Sequence, residues 1–271
     1  MPELPEVETI ARGLDARIAG DAIQAVWIGD KPEPFKSPAH AIAAALESHK
    51  ISRVRRAGKH IVFDLAALDG SGDPGAQWIV HLGMTGSLLL CAPDCKREKH
   101  THAVLQLASG RELRFVDPRR FGRLSVIEKF EAPGAEPLEI GREEFAKLFR
   151  GRKTPIKSAL LNQKLLSGVG NIYADEALFR AGIRPRRRAE SLTQEELRRL
   201  RNELKRVLKQ AIRLGGSSIS DYVDANGDEG LFQLKHRVYG REGKPCLTCK
   251  TPIKRIVIAG RSGHYCPMCQ K

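Results

Sequence analysis

Apolar positions along this chain change their period twice. After Pro5 they fall at Val7, Ile10, Ala11, Leu14 and Ile18, the spacing that gathers one stripe on one face of a helix. Pro5 suits the first turn of that helix, where its missing N–H costs nothing. From about Ile23 to Ile127 the texture becomes short β-like runs, at residues 60–65, 78–82, 87–90, 103–107 and 114–116, separated by Gly, Asp, Pro and Ser. Several short strands with frequent turns predict a sandwich or barrel. Residues 131–137, EAPGAEP, read as a linker. Helical spacing then returns. Thr154-Pro155 reads as a cap and a first-turn proline, ahead of a buried face at Leu160, Leu161, Leu165 and Leu166. Residues 193–214 predict an amphipathic helix. Thr193 and Glu196 form its capping box, Leu197, Leu200, Leu204, Val207, Leu208 and Ala211 its stripe, and Gly215 its stop. A Gly/Ser/Asp-rich loop follows over residues 215–230, and residues 256–259 read as a strand leading into Gly260-Arg-Ser-Gly263. There is no internal repeat.

Composition narrows the class. A chain of 271 residues has room for one to two domains and a sizeable core. No apolar run approaches the roughly 18 residues of a spanning helix, and the acidic N-terminus has no secretory-type apolar run. The expectation is a cytoplasmic enzyme or binding protein without a membrane partner. Charge adds direction. Residues 1–149 hold 20 Lys and Arg against 21 Asp and Glu, whereas residues 150–271 hold 26 against 11. A basic second half reads either as a polyanion-binding surface, with nucleic acid ahead of membrane, or as a merely soluble basic face.

The cysteines carry more. Four of the six stand as Cys246-x2-Cys249 and Cys266-x2-Cys269, sixteen residues apart. Two short knuckles that each supply two thiolates are the pattern of one structural Zn2+ in a tetrahedral site. Disulfides are the alternative, disfavoured in a chain with no export signal. Cys91 and Cys95 have no such pairing and read as ordinary small residues.

Two further stretches could hold chemistry. In residues 166–173, LSGVGNIY, two glycines permit a tight backbone and Asn171 can cap a helix starting at Ile172. A helix N-terminus aims unpaired N–H groups outward and grips anions, so this is either a phosphate-binding turn or a plain helix–turn–helix corner. The opening residues, MPELPEVET, place a small Pro2 behind the initiator, so Met1 is expected to be removed. That leaves a free secondary amine, a group that titrates near ~8 when unperturbed. Attack of such an amine on a sugar C1′ gives an iminium that cannot lose its charge by shedding an N–H proton. That electron sink favours elimination of the flanking phosphates, with Glu3 beside it to move protons. The alternative is a helix-starting proline followed by acids that suit the helix dipole.

Taken together, MPELPEVET, HLGMTG (residues 81–86), DPRRFG (residues 117–122), GVGNIYADE (residues 168–176) and the two cysteine pairs with Arg261 between them resemble the bacterial formamidopyrimidine-DNA glycosylases. The resemblance runs in order from residue 2 to residue 271. It implies an α+β fold: an N-terminal β-sandwich with an N-terminal helix (1–130), a linker (131–141), a helix–two-turns–helix domain (142–235) and a zinc-finger β-hairpin (236–271). It implies a monomeric bifunctional repair enzyme that acts on double-stranded DNA containing oxidised purines or abasic sites. Such an enzyme excises the base from a flipped-out nucleotide and nicks the strand by β,δ-elimination. Carried over, Pro2 is the nucleophile, Glu3 the general acid/base, Lys59 the lysine of β-elimination and Arg261 the residue of δ-elimination and a phosphate clamp. His81, His100, Arg119, Arg152, Asn171 and Tyr239 match DNA-contacting positions. Met84, Arg119 and Phe121 match the trio that fills the gap left by the extruded base. On the residues alone, Met84 and Phe121 also read as core and Lys59 as a solvated strand end. Asn162 and Arg152 depart from the commoner Asp and Lys, and the loop at residues 217–230 leaves base preference least defined. Two alternatives remain. The endonuclease VIII branch usually has Gly where Leu4 stands and lacks the trio, and a non-catalytic zinc-ribbon DNA-binding protein would not need Pro2, Glu3 and Lys59.

Overall fold

The computed structural model describes residues 1–68, 74–219 and 222–271, so residues 220 and 221 of the 217–230 loop lie outside the described residues. The chain forms two compact units, Met1–Glu131 with Gly215–Gly230, and Ala132–Leu214 with Leu231–Lys271.

The first unit contains α1 (Leu4–Ile18), β1 (Ile23–Ile28), α2 (Ala39–Leu46), β2 (His49–Ala57), β3 (His60–Ala67), β4 (Pro74–His81), β5 (Ser87–Cys91), β6 (Thr101–Leu107), β7 (Glu112–Val116) and β8 (Arg123–Ile127). Among the described residues its strands make two four-stranded antiparallel sheets, ordered β1-β6-β7-β5 and β2-β3-β4-β8. Phe63, Trp78 and Val80 of one sheet and Leu105, Leu113 and Phe115 of the other share one core with the α1 stripe Val7, Ile10, Ala11, Leu14 and Ile18. This is the predicted sandwich with its helix. α2 is a correction to the all-β reading of residues 23–127. Its alanine-rich sequence favours a helix, and Ile42 and Leu46, four apart on one face, are fully buried. Loop residues 215–230 return to this unit. Ala225 is buried in its core and accepts the Leu90 N–H at 3.1 Å.

The second unit contains α3 (Arg142–Phe149), α4 (Ile156–Leu161), α5 (Asn171–Ala181), α6 (Gln194–Arg213), β9 (Lys254–Ile258) and β10 (Arg261–Tyr265). The capping box and stripe of α6 form as read. Glu196 N–H donates to Thr193 Oγ1 at 3.2 Å, Thr193 N–H to Glu196 Oε2 at 2.9 Å, and all six stripe residues are buried. At α4 the expectation is one residue off, because Pro155 itself takes the cap position and Thr154 lies outside. The linker-like residues are pinned. Ala135 bridges Leu166, and Gly134 sits where a Cβ would meet Gln163 O at 2.4 Å.

Candidate functional site

At the start of α1, Pro2 and Glu3 are buried while Met1 is 49 % exposed. Glu3 holds the helix cap position in extended conformation. Its N–H donates to Glu6 Oε2 at 2.8 Å, and Glu6 Oε1 accepts the Ser217 N–H at 2.8 Å. Gly216, at φ +84°, packs so closely that a Cβ there would lie 2.8 Å from Glu6 Oε1. One buried carboxylate therefore fastens the opening residues to the 215–230 loop. Sequence reasoning did not name Glu6, although the three-residue spacing from Glu3 is a capping-box signal. Tyr222 adds a second link, its hydroxyl lying 3.5 Å from Glu6 O while donating to Gly215 O within the loop at 2.9 Å. Burial and the Glu6 carboxylate push its phenol pKa up, so it stays a donor.

Lys59 lies on the hairpin between β2 and β3, where Ala57 pairs with His60 around Gly58-Lys59. Gly58, at φ +61°, takes the left-handed conformation that a two-residue hairpin turn demands of its first central position. Only 9 % of Lys59 is exposed, so it is not a solvated strand end. Burial first, then His60 and Arg123 and last the Lys59 charge, hold His81 down at a pKa of about 4. The neutral His81 ring accepts the Gly83 N–H at Nδ1 (3.1 Å), which leaves its proton on Nε2. The His60 ring stands 5.0 Å from it.

Three loops that carry expected DNA-contacting residues converge on Asp117, which is fully buried. Its carboxylate accepts Thr85 Oγ1–H at 2.6 Å, Gly122 N–H at 2.7 Å and Arg119 N–H at 3.3 Å, and its own N–H donates to His100 O at 2.9 Å. The 81–86 and 117–122 loops touch so tightly that a Cβ on Gly83 would fall 2.5 Å from Phe121 C. The outcome is a projecting group. Met84 is 43 % and Phe121 52 % exposed, and the Arg119 guanidinium stacks 4.8 Å over the Phe121 ring. Neither Met84 nor Phe121 is a core residue. Asp117 and Thr85 are the organisers, and the sequence showed them only as parts of motifs.

In the second unit, Asn171 differs from its expected local role. Gly170 is the cap of α5, and Asn171 is the first helical residue. Its side chain is thereby released from capping. Nδ2 donates to Ser262 Oγ at 3.3 Å, and Oδ1 is buried without a hydrogen-bond partner among the described residues. Arg261 opens β10 next to the turn Ala259-Gly260, whose residues both have positive φ (+48° and +75°), and it is exposed. This hairpin is held to α4 and α5 by a buried ion pair. Lys157 Nζ donates to Asp175 Oδ1 at 2.6 Å and to Ser262 O at 2.5 Å, and Asp175 Oδ2 accepts the His264 N–H at 2.8 Å. Arg152 is exposed, with Nε on Leu148 O. Tyr239 is half-buried, its ring 5.6 Å from His236 and 5.1 Å from His264, and its N–H donates to Glu176 at 3.0 Å. Burial pushes the Glu176 carboxyl up, opposed by N–H donors from residues 237, 238 and 239.

Cys246, Cys249, Cys266 and Cys269 bring their Sγ atoms within 4.8 Å of one another. The Cys246–Cys269 and Cys249–Cys266 separations are 3.9 and 3.4 Å. A tetrahedral ion with Zn–S bonds of about 2.3 Å has S–S edges of about 3.8 Å, so the donor set fits one structural Zn2+. Backbone N–H groups of Thr248 and Cys269 point at Cys246 and Cys266 Sγ, the orienting bonds such thiolates need. The chain end locks the knuckle to α5, since Lys271 N–H donates to Gly182 O and Arg184 N–H to Lys271 O. Cys91 and Cys95 take no part in this cluster.

Comparison with known proteins agrees along the whole chain. Residues 1–124 match the formamidopyrimidine-DNA glycosylase N-terminal domain, residues 133–223 its H2TH domain, and residues 243–271 the zinc finger found in FPG and IleRS. The formamidopyrimidine-DNA glycosylase of Solibacter usitatus is 48 % identical over 275 residues, with both chains fully covered. The crystal structure of the MutM (Fpg) protein from Thermus thermophilus superposes with a TM-score of 0.86 at 43 % identity, over 99 % of this chain and 98 % of that one. The Lactococcus lactis Fpg in complex with DNA containing an abasic site gives 0.88 at 33 % identity, over 99 % of each chain. With full-length relatives at this identity and all three domain types in order, the chain belongs to the formamidopyrimidine-DNA glycosylase family.

Proposed function

We propose that the protein is a base-excision repair enzyme, a DNA glycosylase with abasic-site lyase activity, acting as a monomer on oxidised purines in cytoplasmic double-stranded DNA. Relatives support the substrate class, since Lactococcus lactis Fpg has been solved with DNA containing an abasic site, and a mutant of it with DNA containing Fapy-dG. The observation that carries the reading is the anchored N-terminus. Pro2 and Glu3 are buried at the head of α1 and tied down by Glu6, where an N-terminus without a task would fray.

In this reading, removal of Met1 exposes the Pro2 nitrogen. It attacks C1′ of the damaged nucleotide, the bond from C1′ to the base breaks, and the base leaves with a proton supplied through Glu3. The attached nitrogen gives up its N–H proton, the C1′–O4′ bond opens with a proton delivered through Glu3 to O4′, and the resulting iminium draws electrons from C2′. Lys59 accepts the C2′ proton and the C3′–O bond breaks, releasing one phosphate. Arg261 assists the second elimination, which breaks the C5′–O bond. Arg152, His100, Asn171, His81 and Tyr239 hold the strand around the lesion. Met84, Arg119 and Phe121 occupy the space vacated by the flipped base, an arrangement in which apolar wedges keep a kinked duplex open. Zn2+ contributes no step. It orders the hairpin that bears Arg261.

Borohydride trapping tests this directly. An 8-oxoguanine·cytosine duplex should yield a covalent adduct through Pro2, located by peptide mass spectrometry. Protein that keeps Met1 should bind the duplex and give no adduct. An adduct on another residue, or retardation of the DNA with no adduct at all, would overturn the reading. Preferential excision of oxidised pyrimidines would move the protein to the endonuclease VIII-like specificity.

A further inference from the structure

Arg56 joins the two elements that hold the proposed nucleophile and the proposed elimination lysine. It lies near the end of β2, with its side chain only 6 % exposed. Its Nε donates to Glu8 Oε2 at 2.7 Å, and its Nη1 donates to Gly58 O at 3.2 Å. Glu8 sits on α1, five residues after Glu3, with its side chain 15 % exposed. Its other oxygen accepts Arg12 Nε at 2.6 Å, so both carboxylate oxygens are engaged and the group is fixed in place. Gly58 O belongs to the peptide that leads directly into Lys59. One guanidinium therefore ties the helix that begins at the nucleophile to the turn that carries the lysine. The hairpin turn itself has only two residues, so holding Gly58 O sets the direction in which Lys59 leaves the sheet. Arg suits this task because its planar fork sends two nitrogens to two acceptors at fixed angles, which a lysine ammonium cannot reproduce.

We propose that Arg56, held by Glu8, is a positioning residue that sets Lys59 relative to the α1 N-terminus for proton abstraction at C2′. The inference rests on the assignment of Pro2 and Lys59 above. It goes beyond it in giving strand nicking a dependence on a nearly buried residue whose bonds run to Glu8 and Gly58. The motive is energetic as well as geometric. Misplacing a reacting group by about 1 Å costs on the order of a hundredfold in rate, and a nearly buried lysine cannot re-aim itself through solvent.

The test is a double-mutant cycle on a duplex with a preformed abasic site, which removes base excision from the measurement. R56K keeps the cation and its attraction to Glu8 but gives up the second arm to Gly58 O. R56K should be captured by borohydride to within about twofold of wild type, while single-turnover nicking slows roughly ten- to hundredfold. In a K59M background the same R56K change should cost nothing further, because it acts only through Lys59. A structural defect would instead add to K59M and lower trapping in parallel. Either additivity or parallel loss of trapping and nicking overturns the proposal, as does unimpaired nicking by R56K. If R56K fails to fold, as judged by its thermal transition, E8Q is carried through the same cycle with the same expectations. Absence of trapping by the wild-type protein, by contrast, would refute the Pro2 mechanism itself and is thereby told apart from failure of the Arg56 assignment.

Discussion

Two histidines, His81 and His236, are held as neutral rings largely out of solvent, and that has a pH signature. His81 and His236 titrate at about 4, chiefly because burial disfavours the imidazolium. An unfolded histidine takes up its proton near 6.5. As pH falls below that value the unfolded chain gains protons that the folded one refuses. The stabilisation is therefore complete above about pH 6.5 and is lost progressively towards pH 4, at up to about 1.4 kcal/mol per pH unit for each ring. Urea unfolding at pH 7, 5.5 and 4.5 reads this out. A stability that stays flat across that window would contradict the buried neutral rings. Asp117 is a second local determinant. Replacing it by Ala removes the acceptor of three donors, the Arg119 N–H and the buried Gly122 N–H among them. Asp117→Ala should destabilise the first unit by about 3 kcal/mol, and its DNA affinity should fall because the Met84, Arg119 and Phe121 group loses its support. Denaturant midpoints and binding titrations check both parts.

Among the elements, the hairpin of β9 and β10 depends most on others. Its two strands have five residues each and bury little apolar surface, too little to persist alone. Its order comes from the zinc knuckle and from the Lys157–Asp175 pair, whose side chains are both 0 % exposed. Lys157→Met strands the Asp175 charge in the interior, which should cost about 3–5 kcal/mol. Calorimetric unfolding should register this, and retention of the wild-type transition would show that the pair is dispensable. Cys249→Ala acts at the other anchor. Three thiolates hold the ion poorly, so zinc content should fall and DNA binding and nicking should weaken together. Verified metal-free protein that nicks at the wild-type rate would refute the zinc assignment.

The whole chain carries a net charge of +14, concentrated after residue 149. Exposed Arg119, Arg152 and Arg261, read as phosphate or base contacts, predict a strong ionic-strength dependence of binding. If three phosphates are neutralised, the logarithm of affinity should fall with the logarithm of salt at a slope of about −2.7. A flat salt titration on an abasic duplex would remove the electrostatic part of the reading. No helix among the described residues is long and apolar enough to cross a membrane.

What the amino-acid sequence determined alone was everything carried by spacing within short stretches. The α1 stripe, the α6 capping box and the two cysteine pairs reach their partners through local geometry, so they can be read without the fold. α2 escaped because an alanine-rich stretch has too few large apolar residues to show a period. Asn171 was misread as a cap because one residue of register decides whether its amide serves its own helix or Ser262, and that register depends on where Gly170 closes the turn. Tertiary structure alone decided the partnerships of Glu6 with Ser217, of Asp117 with Thr85, and of Arg56 with Glu8 and Gly58. Most of these join residues tens to hundreds of positions apart. Their energy comes from charged groups meeting donors away from water, and no pattern along the chain records which distant donors will be there.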